Sequence, residues 1–213
     1  MSDRSAILLF IKSPEKGKVK SRLAKTIGED AALDAYKCLV GCTLENLKSG
    51  CYLLKLYFYP PDSGAIIKSW LGNSYYYAPQ QGKDLGERMK NAFVQAFSDR
   101  MEKVLVIGSD IPDLSIPLID ESFNALDTSD AVIGPANDGG YYLIGFNRVN
   151  FLPDIFQGIE WSTDSLFYQT MKVFEKSGLK VHVLTELTDV DTFEDLLSVF
   201  SLNNKAYNVR TRH

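Results

Sequence analysis

The stretch that most constrains the fold of this chain is Val104–Leu114, with the sequence Val-Leu-Val-Ile-Gly-Ser-Asp-Ile-Pro-Asp-Leu. Its first four residues are apolar and mostly β-branched, which predicts a buried strand of a parallel sheet. The chain then becomes polar at Gly108-Ser109-Asp110, and Pro112 prevents the strand from continuing. Ligands of open α/β sheets bind at the carboxyl ends of the strands, where we expect Asp110. An aspartate there is either a turn former or helix cap, or an oxygen ligand of a divalent cation that holds phosphates.

Segments with strand and helix patterns alternate along the whole chain. The alternation predicts an α/β fold with three layers, α/β/α, around a mostly parallel central sheet. We expect one domain over residues 1–213, with a loosely ordered tail from about residue 203. The predicted strands are 6–11, 51–59, 75–78, 104–107, 131–133, 141–146 and 179–184. The predicted helices are 29–48, 62–70, 85–97, 116–126, 163–176 and 193–200, with caps at Asp62, Asp84, Ser162 or Thr163, and Thr192.

Composition and charge exclude several classes of function. The formal net charge of −4 argues against nucleic acid as the main partner, since nucleic acid usually binds a basic surface. The chain has no apolar run near the ~18 residues of a membrane span and no cleavable signal sequence, so we expect a cytoplasmic protein without a membrane partner. Cys38 and Cys42 lie one helical turn apart, which favours packing in the core over a zinc site. The chain has only two histidines, too few for a histidine-built metal site or a Ser-His-Asp triad.

A cluster of cations follows the first predicted strand, in a segment that we expect to be a loop over residues 12–24. Cations occupy every second position from Lys16 to Arg22, so an extended chain would place them on one side. A solvated basic loop explains Lys16 and Lys18 well enough. Lys20 and Arg22 are better candidates for binding phosphates, because an arginine offers a bidentate fork. The segment is not a Walker A loop, and no dinucleotide-binding glycine motif occurs in the chain.

The segment Asn137–Tyr141 places an Asp-Gly pair and a second glycine beside an aromatic residue. A β-hairpin turn is the simplest interpretation of Asp138-Gly139. Paired glycines also permit positive φ angles and a close approach of the backbone to a ligand. The crowding of polar residues and glycines in this loop favours a turn that also contacts a substrate.

A third polar cluster, Asp189-Val190-Asp191-Thr192, precedes the last predicted helix. A helix cap explains Thr192, but it does not explain two aspartates on the same face of an extended segment. Together with Asp110 they could complete a site for a hard cation, built from carboxylate oxygens and water. Elsewhere, the segment 161–163, Trp-Ser-Thr, is typical of a buried tryptophan before a helix cap.

Taken in order, these clusters resemble the glycosyltransferase-like proteins of the DUF2064 group. That group is related to the nucleotide-diphospho-sugar transferase superfamily, which includes the phospholactate and molybdenum-cofactor guanylyltransferases. The most specific segment is Gly-Pro-Ala-Asn-Asp-Gly-Gly-Tyr-Tyr-Leu-Ile-Gly at 134–145, and the other matching segments are 20–23, 81–89, 108–112, 161–163 and 189–192. One departure is Ser21, where the group more often has threonine.

This resemblance implies a GT-A-like fold that binds a nucleotide at the carboxyl edge of its first strands. It implies that Asp110, with Asp189 or Asp191, binds Mg²⁺ or Mn²⁺. It also implies that Lys20 and Arg22 contact the phosphates of the nucleotide, and that the turn at 138–141 faces the second substrate. The expected substrate-binding residues are Lys20, Arg22, Ser109, Asp110, Asp138, Gly139, Gly140 and Tyr141.

Three functions remain open. The first is a metal-dependent transferase that passes the sugar of a nucleotide-diphosphate sugar to a small-molecule acceptor, with Lys20 and Arg22 stabilising the leaving diphosphate and Asp138 as candidate base. The second is a nucleotidyltransferase that joins a nucleoside monophosphate to a phosphorylated small molecule and releases pyrophosphate, for which no base is required. The third is a nucleotide- or sugar-binding module without catalysis. A homodimer could form through the aromatic segments 56–59 or 75–77.

Overall fold

The computed structural model describes residues 4–161 and 163–199 of the chain. Its strands are β1 (Ser5–Lys12), β2 (Leu53–Tyr59), β3 (Tyr76–Pro79), β4 (Lys103–Ile107), β5 (Ala131–Pro135), β6 (Tyr141–Asn147) and β7 (Val181–Val183). They form one sheet in the order β3-β2-β1-β4-β6-β5-β7. Neighbouring strands are parallel except where β6 pairs with β4 and with β5. The predicted α/β class with a mostly parallel sheet is therefore confirmed.

Helices cover both faces of the sheet. They are α1 (Ser21–Ile27), α2 (Glu29–Leu47), α3 (Gly64–Leu71), α4 (Leu85–Ser98), α5 (Ile116–Ala125) and α6 (Leu166–Lys176), with a short 3₁₀ helix at Pro153–Phe156 and a helical segment over 193–199. Side chains of β1 alternate between two cores: Ile7 and Leu9 pack in the core that holds α2, α3 and α5, and Leu8 packs in the core that holds α4 and α6. The expected three layers follow from this alternation. None of the described helices is long and apolar enough to cross a membrane.

Two of the predicted helix caps are confirmed. The Asp84 carboxylate accepts a hydrogen bond from the Glu87 amide at 2.8 Å, and the Thr192 hydroxyl accepts one from the Asp195 amide at 3.3 Å. The cap predicted at Asp62 is wrong, because α3 begins after Ser63. Of the alternatives Ser162 and Thr163, Ser162 lies outside the described residues, as does the predicted tail, and the cap at Thr163 is wrong because α6 begins after Ser165.

The segment between β1 and α2 is not the extended loop that the spacing of its cations suggested. Residues 16–19 form turns, and α1 begins at Ser21. Lys16 pairs with Asp30 at the surface. The four alternating cations therefore do not share one side of an extended chain, and Arg22 lies on a helix.

Two further predictions about the surface are wrong. Cys38 and Cys42 are exposed on α2 and do not pack in the core. Within the segment 56–59, Leu56, Tyr57 and Phe58 are buried, so that segment cannot supply a homodimer interface. The other candidate segment, 75–77, leads into β3 at the edge of the sheet and stays a prediction.

Candidate functional site

A cavity of about 740 Å³ opens at the carboxyl edge of the sheet. It lies where the segments that follow β1, β4 and β7, the β5–β6 turn and the start of α6 meet. The residues that line it are Lys12, Lys18, Lys20, Ser21, Arg22, Leu85, Gly108, Asp110, Ile111, Ala136, Asp138, Gly140, Tyr141, Tyr142, Thr163, Asp164, Leu166, Asp189 and Asp191. This set includes every predicted catalytic and metal-binding residue. Of the predicted substrate-binding residues, only Ser109 and Gly139 are missing from it, and Ser109 is buried.

Lys20 is the buried cation of this cavity. Its side chain is only 5% exposed, and Nζ lies 2.8 Å from Asp110 Oδ2 and 3.3 Å from Asp191 Oδ1. Burial lowers the pKa of Lys20, but the two carboxylates outweigh it and hold that pKa above its usual value. The backbone of Lys20 is left-handed, with φ 46° and ψ 47°. That conformation costs a non-glycine residue about 1–3 kcal/mol and is concentrated at functional sites.

Arg22 contacts the same group of carboxylates from a more open position. It lies on the first turn of α1, and its Nη1 atom is 3.2 Å from Asp191 Oδ2. Its side chain is 66% exposed. Arg22 can therefore turn toward a ligand without leaving a buried charge unpaired.

Asp189 and Asp191 are held in place by Val190, the residue that lies between them. The Val190 side chain is fully buried, and its amide donates a hydrogen bond to the carbonyl of Asp110 at 3.1 Å. The Asp195 carboxylate accepts hydrogen bonds from the amides of Asp191 at 3.1 Å and Thr192 at 2.7 Å. The two aspartates consequently flank a buried residue and lie on the cavity side, as the sequence predicted.

Asp189 is a carboxylate with a raised pKa. Burial, together with the charges of Asp138, Asp110 and Asp191, raises this pKa to about 6, although Lys20 lowers it. No ion pair reaches Asp189 within residues 4–161 and 163–199.

The donor set fits a hard divalent cation. Asp110, Asp189 and Asp191 offer the carboxylate oxygens that Mg²⁺ and Mn²⁺ prefer. In the described part of the chain, no three acidic, histidine or cysteine side chains are close enough together to form a ready-made metal site. The ammonium of Lys20 lies between two of the three carboxylates. The carboxylate oxygens that such a cation needs are therefore present, and Lys20 contacts two of the three carboxylates.

The β5–β6 turn is both a hairpin turn and a wall of the cavity. Asp138 Oδ1 accepts a hydrogen bond from the Gly140 amide at 2.8 Å, which is typical of an Asx turn. Gly139 has the positive φ that the sequence predicted, at 85°. A Cβ atom there would lie 1.9 Å from the carbonyl oxygen of Asp164. The close approach that requires glycine is thus made to the segment just before α6, and a contact of this turn with a substrate stays a prediction.

Tyr141 and Tyr142 both line the cavity. Burial raises the pKa of Tyr141, while the neighbouring Thr170 hydroxyl lowers it. The Tyr142 hydroxyl donates a hydrogen bond to the carbonyl of Thr185 at 3.0 Å. The Tyr141 hydroxyl is thus buried, and the Tyr142 hydroxyl is held by the main chain.

Sequence reasoning missed Lys12, Lys18, Thr163 and Asp164 as cavity residues. It also missed the reason for Gly86, where a Cβ atom would lie 2.1 Å from the ring of Trp161. Trp161 also stacks on Phe156 with 6.4 Å between ring centroids. The segments 81–89 and 161–163 thus contact each other, and Asp164 follows directly after this contact. The position of Asp164 directly after the Trp-Ser-Thr segment at 161–163 was the sequence signal that could have identified it as a cavity residue.

Among characterised proteins, the chain is similar to the 2-phospho-L-lactate guanylyltransferase of Methanocaldococcus infernus. The two are 24% identical over 131 residues, which is 60% of this chain and 58% of that enzyme. The chain thus matches less than two thirds of the length of this relative.

Among solved structures, the chain resembles a proposed nucleotide-diphospho-sugar transferase from Desulfovibrio desulfuricans G20. The two are 42% identical with a TM-score of 0.91, and the match covers 94% of this chain and 88% of that one. The 4-diphosphocytidyl-2C-methyl-D-erythritol synthase of Anaerococcus prevotii shares the fold at 15% identity, with a TM-score of 0.63 over 96% of this chain and all of that one. Mycobacterium tuberculosis Rv0371C, solved with manganese, shares it at 14% identity, with a TM-score of 0.57 over 93% and 97% of the two chains. The fold is therefore the GT-A-like fold of nucleotide-dependent transferases.

Residues 43–163 match the family described as "Uncharacterized protein conserved in bacteria (DUF2064)". This range covers more than half of the chain and includes Asp110 and the β5–β6 turn. Lys20, Arg22, Asp189 and Asp191 lie outside it. The chain belongs to the DUF2064 family.

Proposed function

We propose that this protein is a metal-dependent transferase that uses a nucleotide-diphosphate sugar to glycosylate a small-molecule acceptor. The observation that carries the proposal is the convergence of Lys20, Asp110 and Asp191 in one cavity. Lys20 is 90 residues from Asp110 and 171 from Asp191 along the chain. The resemblance to the proposed nucleotide-diphospho-sugar transferase of D. desulfuricans, at 42% identity over most of both chains, supports the same assignment.

The cations of the β1–α1 segment are suited to hold the phosphates of the donor. Breaking a sugar–phosphate bond places negative charge on the departing diphosphate, and Lys20 and Arg22 stabilise that charge where it develops. A divalent ion on Asp110 with Asp189 or Asp191 would supply further stabilisation of the same charge. The manganese bound by Rv0371C, a protein of the same fold, supports Mn²⁺ or Mg²⁺ as that ion.

Asp138 is the candidate base for the acceptor hydroxyl. Its Oδ1 atom is held by the Gly140 amide at 2.8 Å, which fixes the carboxylate at the cavity. This leaves the second oxygen to accept a proton from a hydroxyl within hydrogen-bond reach.

A second candidate function is nucleotidyl transfer, favoured by the similarity to 2-phospho-L-lactate guanylyltransferase. In that reaction a phosphate of the acceptor attacks the α-phosphate of a nucleoside triphosphate, and pyrophosphate leaves. The nucleophile is already anionic, so Asp138 would have no role as base. The two reactions differ in their products: a nucleoside diphosphate identifies glycosyl transfer, and pyrophosphate identifies nucleotidyl transfer.

The first experiment is a thermal-shift screen of nucleotides and nucleotide sugars with and without Mn²⁺, since a bound ligand raises the melting temperature by mass action. Calorimetry then compares the best ligand on the wild type and on Asp110→Asn. We expect the variant to fold and to lose about tenfold or more of its metal-dependent affinity. Asp113→Asn, at an exposed aspartate outside the cavity, is the matched control.

An unchanged affinity of Asp110→Asn in the presence of Mg²⁺ would contradict the metal assignment. Binding that a chelator leaves intact, without any turnover, would indicate a binding module and not a transferase.

A further inference from the structure

We infer that the acceptor of the transferred group carries no negative charge at the end that enters the cavity. It is a neutral polyol or an amine-bearing hydroxy compound, and not a phosphate or a carboxylate. This inference rests on the proposed function, because it concerns the second substrate of that reaction. The observation behind it is that all the lysines and arginines that line the cavity lie at one end, whereas Asp138 and Asp164 line the other end, where no ion pair reaches them in the described part of the chain.

The cationic end is formed by one segment of the chain. Among the described residues that line the cavity, all the lysines and arginines lie between the end of β1 and the first turn of α1: Lys12, Lys18, Lys20 and Arg22. Two of them contact Asp191. A nucleotide diphosphate bound there would use these cations and leave none for a second anionic substrate.

The acidic end is formed by the β5–β6 turn and the start of α6. Asp138 and Asp164 line the cavity there, and both are exposed. The contact between Gly139 and the Asp164 carbonyl holds the two segments together. The order of the sheet separates the two ends, since β1 lies on one side of β4, while β6 and β5 lie on the other.

The first two amides of α6 are not free to bind an anion that would offset these carboxylates. Helix N-termini bind anions through amide groups that have no other partner. Here the Leu166 amide donates to the carbonyl of Thr163 at 3.2 Å, and the Phe167 amide donates to the carbonyl of Gly139 at 2.9 Å. Both amides are therefore occupied by the backbone.

A bound divalent ion would not reverse the charge of this end. Such an ion would be held by Asp110 with Asp189 or Asp191, and Asp138 and Asp164 are not among its proposed ligands. A phosphate or carboxylate next to them would be repelled, whereas a hydroxyl or ammonium group would donate charge-assisted hydrogen bonds to them. The charge distribution thus favours glycosyl transfer to a hydroxyl over nucleotidyl transfer to a phosphate.

The test compares three probes of one shape and different charge: glucosamine, glucose and glucose 6-phosphate. Their binding is measured by saturation-transfer NMR, on the full chain with Mg²⁺ and a saturating nucleoside diphosphate that fills the cationic end. We expect glucosamine to bind most tightly and glucose 6-phosphate least tightly. We expect Asp164→Asn to weaken glucosamine binding about two- to fivefold, the range of an exposed ion pair. Asp120→Asn, at an exposed aspartate of α5 outside the cavity, should leave glucosamine binding unchanged.

Three results would overturn the inference: tightest binding of glucose 6-phosphate, no binding of glucosamine, or glucosamine binding that Asp164→Asn does not change. Failure of the proposed function gives a different result, because a nucleotide sugar would then release no nucleoside diphosphate with any acceptor. If nucleoside diphosphate is released and glucose 6-phosphate is preferred, only the inference about the acceptor fails. The far-ultraviolet circular dichroism of Asp164→Asn checks that the variant is folded.

Discussion

The two ends of the cavity are built by different means. The cationic end depends on ion pairs between side chains that are far apart in sequence, with Lys20 in contact with Asp110 and Asp191. The acidic end depends on close backbone packing, with Gly139 against Asp164 and Gly86 against Trp161. One end therefore requires charges, and the other requires the absence of side chains. Substitutions of the charged side chains should change binding most, and substitutions of the glycines should change folding most.

Gly139→Ala should have the largest effect on folding. The left-handed φ of 85° costs an alanine about 1–2 kcal/mol, and overpacking against Asp164 adds about 1–3 kcal/mol. We expect the free energy of unfolding, measured in urea, to fall by the sum of the backbone cost and the overpacking cost. Gly158→Ala is the control, because Gly158 has a similar φ of 69° with no atom within 4 Å of an added Cβ. Equal losses in the two variants would show that the contact with Asp164 contributes nothing.

Lys20→Met should have an intermediate effect on stability and a large effect on binding. It removes the ammonium and leaves Asp110 and Asp191 facing each other, at 35% and 33% exposure. We expect a loss of about 1–3 kcal/mol, less than for a fully buried pair, because water reaches both carboxylates. Nucleotide affinity, measured by calorimetry, should fall about tenfold or more. The added change Asp191→Asn should restore part of the stability but not the affinity, and a stable single variant would contradict this account.

Arg22→Ala should have the smallest effect. Because its side chain is 66% exposed, the free energy of unfolding should change by about 0.5 kcal/mol or less. We expect nucleotide affinity to fall about two- to fivefold. Lys25→Ala, on the same helix but outside the cavity, controls for the lost positive charge. A loss of affinity as large as that of Lys20→Met would show that the exposure of these two cations does not determine how much each contributes to nucleotide binding.

The sequence was informative where local patterns determine structure. The strands, the long helix over 29–47 and the turn at Asp138-Gly139 all follow from periodicity and turn chemistry. The conformation of Lys20 could not be predicted, because it is held by Asp110 and Asp191, which are distant in sequence. The predicted start of α6, at residue 163, was wrong for a similar reason. Residues 163–165 place Asp164 against Gly139, so the helix begins only at Leu166.

The error over the cysteines had a signal in the sequence. Tyr36, Val40 and Leu47 form the buried stripe of α2. Cys38 comes two residues after Tyr36, about 200° around the helix, which places it on the opposite face. The spacing of Cys38 and Cys42 relative to each other says nothing about which face they occupy. Their spacing relative to the apolar stripe does.

The hydrogen bond between the Val190 amide and the Asp110 carbonyl has a consequence for how this family can vary. It joins main-chain atoms and needs no particular side chain at positions 189 or 191. The path of the chain on both sides of Val190 is thus independent of what those two residues carry. The charge at this edge can therefore change through exchanges at these two positions, while the backbone that presents them stays the same.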